Sequence, residues 1–161
     1  MTTTASEAGS VPVRQATRAD LLEVFRIEQR SFPQPWPFAA FERFLGQPGF
    51  LVACEATPAD GESVVGYVVA DTVPNHGRPL GHVKDIAVHP DHREGGVGSL
   101  LLERALVEMA RADASSVKLE VRESNDPAID LYRAHGFEHR RTVPRYYDDG
   151  EAALIMVREF Q

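Results

Sequence analysis

Cysteine and lysine are scarce in this chain of 161 residues, and each scarcity narrows what the protein can be. The one cysteine, Cys54, excludes an internal disulfide and any metal site built from several cysteines. Lys84 and Lys118 are the only two lysines, against fifteen arginines. The net charge of −7 argues against broad binding to nucleic acid. An acidic, lysine-poor composition fits either adaptation to salt or a GC-rich codon bias.

Long hydrophobic runs are also missing. No apolar stretch approaches the ~20 residues of a membrane-spanning helix, so no membrane partner is expected. Residues 1–10 lack the basic and apolar regions of a signal peptide and are expected to form a disordered tail. With 43% hydrophobic residues, the default expectation is one domain over residues 11–161 in the cytoplasm, as a monomer or weak homodimer.

Hydrophobic periodicity predicts the element order β-α-α-β-β-β-α-β-α-β-β. Strands are expected at residues 11–16, 50–55, 64–71, 81–88, 117–122, 137–143 and 152–158, and helices at 17–31, 38–45, 99–113 and 126–135. The stretch SFPQPWPF between the first two helices is expected to be a loop because it holds three prolines. This order indicates a mixed α/β domain with an antiparallel first half.

A glycine-rich turn, Arg93-x-x-Gly96-x-Gly98, lies between the strand that ends at Val88 and the following helix. A strand, a turn and a helix start in succession direct backbone N–H groups and the positive end of the helix dipole at one small volume, which suits a pyrophosphate. A Walker loop would need Gly-Lys-Ser/Thr, and the antiparallel strands upstream argue against a Rossmann site. The pattern also fits a tight turn that needs glycine for steric reasons alone.

The stretch IAVHPDHREGGVG followed by SLLLERAL resembles the acetyl-CoA-binding motif of the GNAT N-acetyltransferase superfamily, Arg/Gln-x-x-Gly-x-Gly/Ala. The segment LEVRESNDPAIDLYRAHGF resembles the second conserved block of that superfamily, in the form typical of RimI-type and archaeal protein N-terminal acetyltransferases. IEQRSFPQPW and RRTVPRYYDDGEAALIM resemble the same branch. The resemblance covers roughly residues 11 to 158. It implies the GNAT fold, a mixed and largely antiparallel sheet flanked by helices.

The resemblance also implies that acetyl-CoA is the cosubstrate and that no metal is needed. The strand and the turn are expected to hold acetyl-CoA through Ile86, Ala87, Val88, Arg93, Glu94, Gly95, Gly96, Val97, Gly98 and Ser99. Asn125 is expected to cap its helix, and whether it also binds pantetheine stays open. Tyr132 has two interpretations. At helical spacing it is a core aromatic, whereas the resemblance implies that it contacts the cosubstrate and protonates the leaving thiolate.

Glu120 lies on the polar face of its strand, where it can pair with Lys118 or Arg122. The resemblance implies instead that Glu120 is the general base, because the glutamate of LEVR has that role in the RimI branch. An α-amino group has a pKa near ~8, against ~10.4 for lysine, so a modest carboxylate base suffices for it.

Tyr146 and Tyr147 are implied to line a peptide groove, with Pro35, Trp36 and Phe38 as the opposite wall; Trp36 fits a core position equally well. His76 and His82 are expected to be ordinary surface histidines, with a role of one of them as an auxiliary base as the alternative. No metal site is expected at His89 and His92.

The leading hypothesis is acetyl transfer to the N-terminus of a ribosomal or other cellular protein. The rivals are an acetyltransferase for small amines and a non-catalytic acyl-CoA-binding subunit.

Overall fold

Seven strands and four helices make up the part of the chain that the computed structural model describes, residues 11–59 and 61–160. The strands are β1 (Val13–Gln15), β2 (Phe50–Thr57), β3 (Gly61–Val73), β4 (Leu80–Val88), β5 (Ser116–Arg122), β6 (Glu138–Val143) and β7 (Ala153–Glu159). The helices are α1 (Leu21–Ser31), α2 (Phe38–Arg43), α3 (Val97–Arg111) and α4 (Asp126–Ala134). Short 3₁₀ helices cover Arg18–Asp20 and Pro90–His92. The predicted element order is confirmed; the predicted tail lies outside the described residues.

The strands form one mixed sheet in the order β1-β2-β3-β4-β5-β7-β6. The pairs β1–β2, β2–β3, β5–β7 and β6–β7 are antiparallel, whereas β4 and β5 are parallel, with Gly81 opposite Val117 and His82 opposite Lys118. The predicted class, a mixed α/β fold with a largely antiparallel sheet, is confirmed. Among the described residues, no helix has both the length and the hydropathy needed to cross a membrane.

By packing, the chain divides into two units, and the first comprises the residues up to Val69 together with Asp85–Ala105. Its core contains the fully buried side chains of Val24, Phe41, Phe50 and Tyr67. Helix α1 contributes because its apolar residues recur at the spacing of one helix face, with Leu21, Val24 and Ile27 all buried. The predicted capping box precedes it, since the Thr17 N–H donates to Asp20 Oδ2 at 2.7 Å.

Gly66 on β3 lets the start of helix α3 approach the sheet in this unit. A Cβ placed on Gly66 would lie 3.0 Å from Leu101 Cδ1 and 3.2 Å from both Val97 Cγ1 and the Ala87 carbonyl oxygen. These distances are shorter than ordinary van der Waals contact, so a side chain here would require Leu101, Val97 or the β4 backbone to move. Glycine at this position therefore permits close packing of the start of helix α3 on β3.

The second unit comprises Ala70–Lys84 together with Leu106 and the chain after it. In β5, Val117, Leu119 and Val121 are buried, and the residues between them are polar. This is the predicted alternation, and it puts Glu120 on the opposite face of the strand from the core. Helix α4 is capped as predicted, because Asn125 Oδ1 accepts the Ala128 N–H at 3.3 Å. Gly136 follows its end at a φ of 88°.

Helix α3 starts two residues earlier than the predicted Ser99, at Val97. Its first helical hydrogen bond runs from the Leu100 N–H to the Gly96 carbonyl oxygen at 3.0 Å. Gly98 and Ser99 therefore lie in the first turn of the helix rather than in the loop before it. Periodicity missed this turn because glycine contributes no side chain to an apolar face.

Candidate active site

The glycine turn of the first unit has the backbone shape of an anion cradle. Glu94 and Gly96 have positive φ values of 68° and 88°, on either side of Gly95, and helix α3 begins at the next residue, Val97. Residues with positive φ, placed next to residues with negative φ, turn successive backbone N–H groups toward the same side of the chain. The first N–H groups of a helix have no partner within the helix, and the dipole adds positive potential there. The turn is therefore suited to a pyrophosphate.

Arg93 is exposed, but its side chain is hydrogen-bonded to the protein. Its Nε donates to the Val88 carbonyl oxygen at 2.9 Å, and its Nη2 lies 3.2 Å from Ser31 Oγ. These bonds link the end of β4, the end of α1 and the turn. The guanidinium of Arg93 therefore holds the turn against β4 and α1, and binding of an anion by the turn's backbone N–H groups stays a prediction.

Glu120 in the second unit is held between two basic side chains. Its Oε1 lies 2.7 Å from His82 Nε2, and its Oε2 lies 3.2 Å from Lys118 Nζ. The Glu120 side chain is 14% exposed. Of the two alternative partners considered from sequence, Lys118 forms the ion pair. Arg122 Nη1 instead contacts Asp149 Oδ2 and Glu151 Oε1, each at 2.9 Å.

This environment keeps Glu120 ionised. Burial opposes the charged form, but the hydrogen bond and charge of His82, followed by Lys118, outweigh it and lower the pKa of Glu120 below its ordinary value. An ionised carboxylate can only accept hydrogen bonds, so His82 Nε2 carries a hydrogen and donates it. Glu120 is therefore a carboxylate with one oxygen bonded to His82 and the other paired with Lys118.

The lowered pKa of Glu120 predicts an acid-sensitive contribution to stability. A depressed carboxyl pKa stabilises the folded state above the unfolded value of about 4.3, and this stabilisation is lost as the pH falls through the folded-state pKa. We therefore expect the parent to be more stable than Glu120→Gln at pH 6, and the difference between their free energies of unfolding to be smaller at pH 3. Urea titrations of both proteins at the two pH values measure this; a difference that does not shrink in acid would contradict it.

Two tyrosines lie in the turn between β6 and β7. The rings of Tyr146 and Tyr147 meet edge to face, with centroids 5.0 Å apart, and the Tyr146 side chain is exposed. Burial and the charge of Glu120 raise the pKa of Tyr146, and burial and Tyr146 raise that of Tyr147 to about 12. Both hydroxyls therefore stay protonated and able to donate at neutral pH.

Arg122 holds this turn in place through its contacts with Tyr147, Asp149 and Glu151. Its guanidinium carbon lies 4.1 Å from the centroid of the Tyr147 ring, and it pairs with Asp149 and Glu151. Glu151 Oε2 in turn accepts the Ser124 N–H at 2.8 Å. A planar cation over an aromatic face and between two carboxylates holds one geometry. The tyrosines are therefore presented by an ordered turn.

Tyr132 lies on α4 with its side chain 6% exposed, and its ring meets Phe137 edge to face at 6.0 Å. This packing agrees with the core interpretation and leaves the implied role in proton transfer a prediction.

The loop before α2 combines an exposed and a packed residue. Pro35 is exposed, whereas the half-buried indole of Trp36 packs on Phe41 at 5.2 Å and on Phe44 at 5.8 Å between centroids. The indole of Trp36 therefore packs against the hydrophobic core of the first unit. Whether the exposed part of this side chain binds substrate stays a prediction.

The expectation that His82 is an ordinary surface histidine is wrong. Its side chain is 19% exposed and hydrogen-bonded to Glu120. The contact joins residues 38 positions apart, on the parallel neighbours β4 and β5. The alternation of side chains within one strand carries no information about a partner at that separation. Only the position of both residues on the same face of neighbouring strands could have suggested the contact. His89 caps the 3₁₀ helix before the turn, and His92 ends this helix, with its Nε2 2.9 Å from Glu55 Oε1.

Comparison with known proteins identifies the family. Residues 21–137 match the model of the acetyltransferase (GNAT) family. The chain belongs to the GNAT family. The predicted membership is thus confirmed, and the protein is an acetyl-CoA-dependent acetyltransferase.

Individual relatives span nearly the whole GNAT domain. An N-alpha-acetyltransferase of Sulfolobus acidocaldarius is 36% identical, with 89% of each chain covered. A [ribosomal protein bS18]-alanine N-acetyltransferase of Escherichia coli is 33% identical, with 85% of this chain and 89% of that protein covered. The crystal structure of Ard1 from Thermoplasma volcanium is 30% identical, with a TM-score of 0.80 and coverage of 93% and 97%.

The glycine turn fits the cosubstrate of this family. The pyrophosphate of acetyl-CoA needs several N–H donors in a concave backbone, and the positive-φ residues Glu94 and Gly96 with the start of α3 form such a shape. When bound, acetyl-CoA supplies an activated acyl group as a thioester. Among the described residues, no group of three or more His, Cys, Asp and Glu could hold a metal ion.

Proposed function

We propose that this protein transfers the acetyl group of acetyl-CoA to the α-amino group at the N-terminus of other proteins. The observation that carries the proposal is the Glu120 carboxylate, which His82 and Lys118 keep ionised. The same strand bears Arg122, whose guanidinium lies over Tyr147 and orders the tyrosine turn. Relatives of nearly the same length are named for Nα-acetylation.

Glu120 serves as the general base. The amine nitrogen forms a bond to the thioester carbonyl carbon, and its proton passes to Glu120 directly or through one water. Because its pKa is lowered, Glu120 is a weak base, which suits an α-amine that is already partly neutral near pH 7 and becomes acidic as the C–N bond forms. A lysine ε-amine, with a pKa of ~10.4, would be served far less well.

Tyr132 serves as the general acid for the departing thiolate. The C–S bond breaks as the carbonyl re-forms, and the sulfur takes a proton from the Tyr132 hydroxyl. This transfer is slightly uphill, because a phenol ordinarily has a higher pKa than a thiol, and the phenolate regains its proton from solvent. The side chain is fixed by burial and by Phe137. Ile86, Ala87 and Val88 hold the pantetheine arm through their backbone, and Asn125 assists while capping α4.

The tyrosine turn and the proline-rich loop bind the acceptor chain. Tyr146 and Tyr147 keep their hydroxyl hydrogens at neutral pH and so can donate to peptide carbonyl groups. Pro35 is exposed beside Trp36 on the loop that precedes α2. Recognition of a peptide backbone fits a protein N-terminus better than a small free amine. A ribosomal protein is one acceptor that fits this chemistry.

A panel of acceptors tests the function. The purified protein is mixed with acetyl-CoA and with peptides that begin with Ala, Ser or Met-Glu, with the same peptides acetylated at the N-terminus, and with free amino acids and polyamines. CoA release and mass spectrometry should show transfer to the free peptides only. Transfer to small amines alone would replace the proposal with small-amine acetylation. Tight acetyl-CoA binding without turnover on any amine would identify a non-catalytic subunit.

Loss of the Tyr132 hydroxyl should slow the reaction moderately. Tyr132→Phe keeps the packing on Phe137 but removes the proton donor, and thiolate is a good leaving group, so kcat should fall about tenfold, below the usual range for acid catalysis. The KM for acetyl-CoA should not change. Steady-state kinetics measure both; a kcat equal to that of the parent would show that solvent protonates the sulfur.

A further inference from the structure

Glu28 on helix α1 is an ionisable residue that the proposed chemistry does not use. Its side chain is 1% exposed, a costly position for a carboxylate unless its oxygens are hydrogen-bonded. Both are: Oε2 accepts the Trp36 backbone N–H at 2.8 Å, and Oε1 accepts the Tyr67 hydroxyl in a short bond. The carboxylate therefore joins α1, β3 and the loop before α2, all within the first unit.

Asp85 on β4 completes the cluster. The Tyr67 hydroxyl lies 3.4 Å from Asp85 Oδ2, but its single hydrogen is already donated to Glu28. Burial and the neighbouring Glu28 raise the pKa of Asp85 well above its ordinary value. The Asp85 carboxyl therefore favours its neutral form beside Glu28, and Glu28, Tyr67 and Asp85 form one hydrogen-bonded cluster.

The Trp36 amide is an important attachment point because its loop has few hydrogen-bond donors. Three of the five residues from 33 to 37 are prolines, which leaves backbone N–H groups only on Gln34 and Trp36. The Trp36 N–H goes to Glu28, and its indole packs on Phe41 and Phe44. A backbone hydrogen bond to the buried Glu28 side chain and aromatic contacts of the indole fix this residue at two points.

We propose that Glu28 is a positioning residue for acceptor binding, which fixes the loop of residues 32–37 through the Trp36 amide in the shape that receives the acceptor peptide. The inference rests on the proposed function, because that function assigns Pro35 and Trp36 to the acceptor. Glu28 itself touches neither the peptide nor the thioester.

Amide hydrogen exchange on the parent protein tests the anchor without any mutation. The Trp36 amide lies in a proline-rich loop, yet it should exchange at least about a hundredfold more slowly than in an unstructured chain, because it is bonded to a buried carboxylate. Exchange at the unstructured rate would overturn the proposal. This readout is independent of catalysis, so it remains informative if peptides are not acetylated.

Glu28→Met tests the consequence, since methionine has a similar length and good helix propensity but offers no strong acceptor. The Trp36 amide should lose its protection against hydrogen exchange. The wavelength of the fluorescence emission maximum should also shift, and Trp36 is the only tryptophan in the sequence. The KM for peptide should rise about tenfold or more, as expected for an unpaired buried N–H, while the KM for acetyl-CoA stays unchanged.

Two further variants serve as controls. In Glu28→Gln the amide oxygen can accept the Trp36 N–H while its NH₂ group donates to Tyr67, so the peptide KM should stay within about twofold of the parent. Glu42→Met makes the same apolar replacement at an exposed residue of α2 and should leave every readout unchanged. If the parent acetylates peptides and Glu28→Met retains the parent's peptide KM and emission, the inference fails and the proposed function stands.

Discussion

Glu120→Gln should lower kcat by about 10²- to 10⁴-fold, the range in which a positioned proton acceptor contributes to catalysis. Glutamine has nearly the same shape and can still accept the hydrogen bond from His82 Nε2, so the fold and the neighbouring strand should be retained. It cannot take a proton from the attacking amine. The dissociation constant of acetyl-CoA should not change, because we propose that the glycine turn, and not Glu120, binds its phosphates.

Steady-state kinetics with an N-terminal peptide and calorimetric titration with CoA measure the two quantities separately. Glu138→Gln is the matched control, since Glu138 is an exposed glutamate on β6 and its replacement should leave both values at the parent level. A Glu120→Gln protein with a kcat within about twofold of the parent would assign the proton to another acceptor, and His82 would be the first candidate.

Gly96→Ala should weaken acetyl-CoA binding by about 10- to 100-fold. The added methyl group lies in a turn whose backbone N–H groups must reach phosphate oxygens, and each lost hydrogen bond to a charged group costs about 1.5–3 kcal/mol. Alanine is also strained at the Gly96 φ of 88°, by about 1–2 kcal/mol in the free energy of unfolding.

Gly46→Ala separates strain from binding. Gly46 has nearly the same φ, 91°, and a Cβ there would meet nothing within 4 Å. Both variants should lose similar stability in urea titrations, but only Gly96→Ala should raise the dissociation constant of acetyl-CoA. Equal affinity in both variants and the parent would show that the cosubstrate phosphates bind elsewhere.

Local patterns predicted the local structure well. The alternation of Val117, Leu119 and Val121 defined β5 and the outward face of Glu120, and Asn125 and Gly136 marked the two ends of α4. Each of these signals lies within a few residues, where one capping bond or one face of a strand decides the conformation. The family resemblance rested on motifs of the same short range.

The hydrogen-bond and ion-pair partners of the site residues could not be predicted from such local patterns. His82 meets Glu120 across 38 positions, Arg122 meets Asp149 across 27, and Glu28 meets Tyr67 across 39. A charged residue in a sequence has many opposite charges available, and only the sheet register and the loop path select one. The same holds for Arg93, whose guanidinium turns back to Val88 although its motif suggests an anion.

The contact at Gly66 has a consequence for how variants of this enzyme should be interpreted. Leu101 Cδ1 and Val97 Cγ1 lie close to the position that a Cβ of residue 66 would occupy, so a larger residue there would disturb the packing at the start of helix α3. In the proposed binding mode this helix start donates hydrogen bonds to acetyl-CoA, and we therefore expect substitutions at Gly66 to change the dissociation constant of acetyl-CoA as well as stability. A screen for tighter CoA binding should include such interior positions as well as the exposed residues of the turn.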